Sequence, residues 1–322
     1  MPSEAPSRAR RALVTGATGF VGSHLVRTMV REGWGVHIVV RPTSDVSALG
    51  PERAGVKVHR HDGSRQVLTT ALSEAAPDVV FHLASLFISE HKPDDVEPLI
   101  SANILFPTLL LEAMAMTQVR CLVNTGTAWQ HYRDAPYSPV CLYAATKQAF
   151  EAVLQYYVET HKFRAITLKL FDTYGPEDRR PKLFSLLAKA AGATEPLAMS
   201  AGDQQLDLVY IDDVVAALIA AGTASGVDRQ TVNVGSGVET SINDLIATIS
   251  AITGLRTDVL HNRDANGGLA RLVADLGKAK QLLGYAPRTE LATGLRKLLE
   301  ADVAAGRIKR RWRLPSLGHN PG

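Results

Sequence analysis

The chain has 322 residues, 46% of them hydrophobic and 21% charged. That is enough apolar material for one big domain or two fused ones, and the composition excludes a disordered protein. The net charge of +3 is modest: basic residues gather at 8–11 and in a tail at 307–322, read as solvated ends rather than contacts for nucleic acid or membrane.

Cys121 and Cys141 are the two cysteines, so a disulfide scaffold is not expected and a reducing compartment fits. No signal peptide is visible before the first strand, and no uncharged run approaches the ~20 apolar residues of a membrane span. The expected location is the cytoplasm.

Residues 11–15 form a β-rich run that leads into Gly16-Ala-Thr-Gly19-Phe-Val-Gly22. Residues 23–32 follow with Leu25, Val26, Met29 and Val30 at helical spacing. Three glycines at intervals of three, between a strand and a helix, make the context of a dinucleotide fingerprint. Gly16 permits the tight turn, Gly19 lets backbone N–H groups approach a pyrophosphate, and Gly22 allows close helix–sheet packing. The anion then sits at the positive end of the helix.

A second strand is expected at 36–40, and the residue after it selects the cofactor. An acid there hydrogen-bonds the ribose 2′-hydroxyl of NAD, whereas an arginine accommodates the 2′-phosphate of NADP. The position holds Arg41, and the nearest acid, Asp45, comes four residues late. Guanidinium suits phosphate through paired, charge-assisted hydrogen bonds, so NADP (NADPH) is the expected cofactor.

Further strands are expected at 56–60, 78–84 and 119–124, with a helix most clearly at 98–116. Tyr143 and Lys147 then stand four residues apart, a spacing that puts both on one helical face. A tyrosine with an ordinary pKa near ~10 is a poor acid–base group at neutral pH. A neighbouring ammonium favours phenolate and lowers that pKa. A third group must polarise the substrate oxygen, and Thr125 and Thr127, expected just beyond the fifth strand, are both candidates.

A long helix to about residue 161 and a sixth strand at 165–171 follow. The rhythm then loosens, with a helical run at 181–191, strands at 206–211 and 231–234, a helix from Asp212, and mostly helical sequence at 241–305. Alternating strands and helices predict an α/β fold: a doubly wound parallel (Rossmann) sheet with a smaller, mostly helical substrate lobe. The expected division is 9–174 with 206–236 for the dinucleotide-binding domain, and 175–205 with 237–306 for the lobe. No metal site is expected.

These residues resemble the extended short-chain dehydrogenase/reductase family, its nucleotide-sugar epimerase/dehydratase group, over about residues 12–294. The marks are Thr15 to Gly22, His82-Leu-Ala-Ser85, Thr127, Tyr143-Ala-Ala-Thr-Lys147, Lys169-Leu-Phe-Asp-Thr-Tyr-Gly-Pro176 and Leu208-Val-Tyr-Ile-Asp-Asp213. Others are Val232-Asn-Val-Gly-Ser-Gly237 and Leu283-Gly-Tyr-Ala-Pro287.

The resemblance implies a catalytic set of Thr127, Tyr143 and Lys147. It implies a dinucleotide lined by Gly16, Thr18, Gly19, Phe20, Val21, Gly22, Leu83, Ala84 and Ser85, with Asp62 near the adenine and with Tyr143 and Lys147 beside the nicotinamide, whose ribose Lys147 can hydrogen-bond. Asp172, Lys182 and Arg271 fall at positions that meet the nucleotide-sugar, and a homodimer is expected.

The chain also departs from the family. Dehydratases of this group carry an Asp-Glu pair after the catalytic threonine, where this chain has Ala128 and Trp129. Neither transfers a proton, which disfavours 4,6-dehydration. An Asn common after the sixth strand is Asp172, and an Arg common before the run at 207–210 is Leu206.

Within the family, Asn124 to His131 and Lys169 to Pro176 look most like CDP-abequose synthase-type 4-ketoreductases, which sets Trp129 and His131 near the sugar. The expected activity is NADPH-dependent reduction of a nucleotide-linked (CDP- or dTDP-) 4-keto-6-deoxy or 3,6-dideoxy hexose. The alternatives are a 4-epimerase with bound NAD and a non-catalytic dinucleotide sensor.

Overall fold

The computed structural model describes residues 9–178, 180, 184, 186–187, 196–255, 258–261 and 271–307. Among them the strands run, in chain order, β1 (Arg11–Thr15), β2 (Gly35–Val40), β3 (Val56–Arg60), β4 (Val79–His82), β5 (Cys121–Thr127), β6 (Arg164–Leu170), β7 (Asp172–Tyr174), β8 (Leu197–Met199), β9 (Gln205–Tyr210), β10 (Gln230–Val234), β11 (Glu239–Ser241), β12 (Val259–His261) and β13 (Arg271–Leu272). The α-helices are α1 (Phe20–Arg31), α2 (Arg65–Ala75), α3 (Val96–Ile100), α4 (Phe106–Met116), α5 (Leu142–His161), α6 (Ile211–Thr223), α7 (Ile242–Thr253), α8 (Gly277–Leu283) and α9 (Leu291–Ala304).

The chain divides into two units. The first takes the described part of Met1–Leu170 with Ile211–Val234 and Asp275–Ala286. It is built on a seven-stranded sheet in the order β10-β6-β5-β4-β1-β2-β3, parallel throughout. Such a sheet is covered on both faces, so its strands read as continuous apolar runs. All four positions of β4 are buried. Val80 joins the apolar layer of α2, α4 and α5, while a Cβ on Gly222 of α6 would meet the Phe81 ring from the other side. The order of strands reverses between β1 and β4, and ligands of such sheets bind at the carboxyl ends beside that switch.

Two strand ends differ from expectation and shape the site. β4 stops at His82, so Leu83, Ala84 and Ser85 leave the sheet. β5 continues to Thr127, so Thr125 and Thr127 lie within the strand, two apart and on one face.

Pro93–Met116 is one 24-residue helical stretch of mean hydropathy 1.7, long and apolar enough by those measures to cross a membrane. The stretch carries Asp94, Asp95, Glu97 and Glu112, so it passes on length and mean hydropathy without containing an uncharged run of ~20 residues. Part of its apolar surface is packed: Leu99, Leu110, Leu111 and Met114 are buried, whereas Val96, Ile100, Leu105 and Met116 are exposed, and α4 packs against α2 and α5. Within the stretch, Ser101–Leu105 is π-helical.

The second unit holds the described parts of Phe171–Tyr210 and Gly235–Ala274 with 287–307. Besides α7 and α9 it carries a sheet of β7, β9, β11 and β13 and a pair of β8 with β12. Buried Asp207 ties its strands together, accepting from the N–H groups of Ser236, Gly237 and Ala274. β7 and β9, assigned from sequence to the dinucleotide-binding domain, pair in this unit, whereas Asp275–Ala286, assigned to the lobe, belongs to the first because α8 packs against β10. Of the basic tail, all but Arg307 lies outside the described residues, as does most of the expected helix at 181–191.

Candidate active site

The glycine turn closes the first βα unit as its residue types dictate. Gly16 has φ +73°, and its carbonyl accepts the Gly19 N–H at 3.0 Å. A Cβ on Gly16 would lie 2.5 Å from the Ala84 nitrogen, and one on Gly22 would lie 2.1 Å from the Gly16 oxygen. Gly19 caps α1 without a side-chain hydrogen bond, and the first turn, with Phe20, Val21 and Gly22, carries no acid. An uncapped helix start with no competing carboxylate is the arrangement that receives a pyrophosphate. The residues at this turn therefore fit a dinucleotide.

At the end of β2, Arg41 is exposed. Asp45 is turned into its own loop, where its carboxylate accepts the Ser47 N–H at 2.8 Å and the Ser47 hydroxyl at 2.6 Å. Arg60, which sequence reasoning missed, pairs in register with Val40 and donates to the carbonyls of Pro42 (2.6 Å), Ser44 (3.3 Å) and Arg41 (3.4 Å). The register of two parallel strands, invisible in either strand alone, brings this second guanidinium to the Arg41 loop. Asp62 follows β3 on the surface and accepts the Ser64 N–H; hydrogen bonds from Ser64 hold its carboxyl below the usual range.

The segment after β4 is held from two sides. Leu83 donates to the Thr15 carbonyl at 3.2 Å, and the Ala84 N–H donates to the Thr15 hydroxyl at 3.2 Å. That hydroxyl lies 2.8 Å from Nδ1 of His82, so a neutral ring accepting its proton satisfies all three groups. Burial, then the charge of Lys147, holds His82 far below its ordinary pKa.

On the other side Asn103, in the π-helical segment, accepts from the Ser85 hydroxyl (3.0 Å) and the Leu86 N–H (2.8 Å). It donates to the Leu86 carbonyl (3.0 Å) and the Thr146 hydroxyl oxygen (3.0 Å). Asn103, also missed from sequence, thus links the 85–86 loop to the helix that carries Tyr143 and Lys147.

α5 starts at Leu142, one residue before Tyr143, so the pair occupies its first two turns. Lys147 is buried (3% exposed). Desolvation lowers its pKa from 10.5 to about 8, with Glu151 pulling it up and Lys169 pushing it down. The Tyr143 ring meets Phe87 edge-on at 5.0 Å, and Phe87 meets Trp129 at 5.5 Å, which gathers three aromatic rings at the pair.

The two threonines separate by what their hydroxyls do. Thr125 donates to the His82 carbonyl at 3.0 Å, which commits its one proton. The Thr127 hydroxyl oxygen accepts the Trp129 N–H at 3.3 Å, a bond that leaves its proton for another partner.

Of the expected sugar-site residues, Trp129 joins this cluster. His131 is placed by its own loop, its Nδ1 3.2 Å from the Ala135 carbonyl. Asp172 lies in β7 of the second unit. Arg271, in the same unit, is exposed and its Nε donates to Glu239 at 3.0 Å. Lys182 lies outside the described residues. Among the described residues no three His, Cys, Asp or Glu groups are placed to hold a metal ion.

A cavity of about 410 Å³ opens at the opposite, amino-terminal edge of the sheet, by Asp78, Cys121 and Arg164. It contains none of these groups.

The model of the NAD dependent epimerase/dehydratase family matches residues 12–235. A UDP-glucose 4-epimerase of Mycolicibacterium smegmatis is 30% identical over 315 residues, 90% of this chain and 97% of that protein. A CDP-abequose synthase of Yersinia pseudotuberculosis is 27% identical over 248 residues, 75% of this chain and 84% of that protein. Among solved structures, a UDP-glucuronic acid 4-epimerase from Bacillus cereus in complex with UDP-glucuronic acid and NAD superposes with a TM-score of 0.80 at 26% identity. The match covers 91% of this chain and 99% of that one.

Proposed function

Because the chain belongs to the NAD dependent epimerase/dehydratase family, we propose that it acts at C4 of a nucleotide-linked hexose, as an NADPH-dependent reductase of a 4-keto-6-deoxy or 3,6-dideoxy sugar carried on CDP or dTDP. The observation that carries the reading is the end of β2. The first acid after β2, Asp45, is engaged by Ser47, and Arg60 holds the loop of Arg41 by its carbonyls. Those surroundings suit a 2′-phosphate better than a bare 2′-hydroxyl. Ala128 and Trp129, which transfer no protons, support redox chemistry over dehydration.

In this reading Gly16, Thr18, Gly19, Phe20, Val21, Gly22, Leu83, Ala84 and Ser85 hold the dinucleotide, which supplies the hydride when bound. Thr127 donates its free proton to the C4 oxygen and orients it. Tyr143 gives that oxygen its phenolic proton. Lys147 stabilises the phenolate left behind and, with a pKa of about 8, is matched to return a proton near neutral pH. Trp129 and Phe87 wall the sugar. The sugar-nucleotide roles of His131, Asp172, Lys182 and Arg271, the adenine role of Asp62, a homodimer and a cytoplasmic location belong to the same proposal.

A second reading, a 4-epimerase with retained NAD, is favoured by the 30% identity to an epimerase over 90% of the chain. One experiment separates the two. The purified protein is denatured and its released nucleotide identified; then NADPH is offered with CDP-, dTDP-, GDP- and UDP-linked 4-keto sugars, and UDP-glucose is offered without added cofactor. NADPH consumption with a reduced C4 is the expected result. Retained NAD with interconversion of UDP-glucose, and no NADPH oxidation, would replace reductase with epimerase. Tyr143→Phe is expected to lower turnover by at least about a hundredfold with NADPH affinity unchanged; turnover surviving that change would overturn the assigned proton donor.

A further inference from the structure

Tyr143, Lys147 and Glu151 recur at intervals of four on α5 and so share one face. The first two belong to the proposed chemistry and the third has no role in it. Yet Glu151 is the more elaborately held. Its Oε1 accepts from Nζ of Lys169 at 2.7 Å and from Nε2 of Gln130 at 2.9 Å.

Gln130 is wholly buried. Its Nε2 also donates to Gln148 at 2.8 Å, and its Oε1 accepts the Thr127 N–H at 2.9 Å. A hydrogen-bond chain thus runs from Glu151 through Gln130 to the backbone of Thr127. The network is packed directly on β5: a Cβ on Gly126 would come within 2.8 Å of Lys169 Cδ, 2.9 Å of Gln130 Oε1 and 3.1 Å of Glu151 Oε1.

We propose that Glu151 is a positioning residue which, through Gln130, fixes the turn presenting Thr127 and, as the anion shared by two buried lysines, keeps Lys147 an ammonium. This rests on the roles given above to Thr127, Tyr143 and Lys147. Among the described residues, few charged and titratable groups act on Lys147. Glu151 and Tyr143 lie on its own helix, Lys169 comes from β6 and His82 from β4, and β5 offers threonines. His82 is neutral, so Glu151 is the attracting charge and Lys169 the repelling one, in agreement with the directions in which they move Lys147. A buried ammonium without a counter-charge is expensive, and Lys169, itself 1% exposed, has its direct partner in the same carboxylate.

The test is Glu151→Gln, which keeps the shape and an acceptor oxygen for Gln130 but removes the charge. The ammonium of Lys147 is followed directly, by NMR titration of labelled lysine side chains assigned with Lys147→Met, beside the pH profile of kcat/KM. Glu151→Gln is expected to move the Lys147 titration to lower pH and the alkaline limb with it, lowering kcat/KM at pH 8 by about threefold to tenfold relative to pH 6.

Lys169→Met removes the repelling charge and is expected to move the titration the other way. Glu151→Gln with Lys169→Met, which removes one charge of each sign so that the net charge around Lys147 is unchanged and keeps the test available if the single variant does not fold, should return it toward the original. A residue with a merely structural role would change the melting temperature and leave the titration in place. An unmoved Lys147 in both Glu151→Gln and Lys169→Met would overturn the inference. A Lys147 titration that shifts while the kcat/KM limb stays would uphold the Glu151–Lys147 coupling and refute the role given to Lys147.

Discussion

Lys147 is an ammonium kept where an apolar side chain would be cheaper. Its folded pKa of about 8 against 10.5 means that the stability from this group is complete above about pH 10.5 and is lost as pH falls through 8. At neutral pH the protein therefore forgoes on the order of 3 kcal/mol. Lys147→Met, similar in length and without the charge, is expected to raise the melting temperature by several degrees while turnover falls by orders of magnitude. Thermal melts measured beside turnover check this; a lower melting temperature would mean that unseen partners repay the burial. The pair itself was legible in the sequence, because a four-residue spacing on an apolar helix has one geometric meaning. Thr125 and Thr127 stayed ambiguous because residues two apart on a strand face the same way, and only the bond from Thr125 to the His82 carbonyl separates them. Gln130, Glu151 and Arg60 were not legible as members of the site. Glu151 meets Gln130 and Lys169 from 21 and 18 residues away and Arg60 meets Pro42 from 18, separations no local pattern marks; Gln130 is also bound locally to Thr127, a cap that does not by itself point to a site.

Among the elements, the π-helical turn Ser101–Leu105 does the most for the site. A π-turn slips one residue into the helix and re-aims the side chains beyond it by about 100°. Sequence periodicity hides it, since one inserted position leaves a helix as apolar as before. Asn103 sits in this turn with both amide atoms engaged by Ser85, Leu86 and Thr146. Asn103→Ala leaves those partners unmet and should cost about 2–3 kcal/mol. Because the 85–86 loop follows the proposed dinucleotide contacts, the dissociation constant for NADPH is expected to rise about tenfold, read by fluorescence titration, with Tyr143 and Lys147 intact. Loss of stability without loss of affinity would confine Asn103 to the scaffold. The alternation of strand and helix was legible in residues 11–170 because most of these strands are buried apolar runs, the edge strand β3 with its burial confined to Val56 being the exception. The strands of the second unit are two to six residues long; of these β9, a largely buried and apolar run, was legible, and the two- and three-residue strands carry no such signal.

At the scale of the molecule, the division into units follows pairings between distant segments, which is why β7, β9 and α8 fell on the other side of the expected boundaries. Charge acts at this scale too. In the first unit four histidines are held below their ordinary pKa of 6.5: His82 by burial and then Lys147, His37 by burial and then His59, His59 by burial, and His61 by burial. His37 and His59 stack across β2 and β3, with ring nitrogens 3.0 Å apart, a contact that two imidazolium rings do not keep. In each case the unfolded chain takes up protons first as pH falls. The stability these groups contribute is complete above about pH 6.5 and is lost toward their lower folded values. Melting temperature is therefore expected to drop steadily from about pH 6.5 to 5. His59→Gln, which removes one ring of the stacked pair and keeps hydrogen-bonding capacity, should make that slope shallower. Melts of the two proteins across this range decide it: equal slopes would show that the stacked pair is not what acid attacks, and would leave His61 and His82 as the groups whose protonation opens the fold.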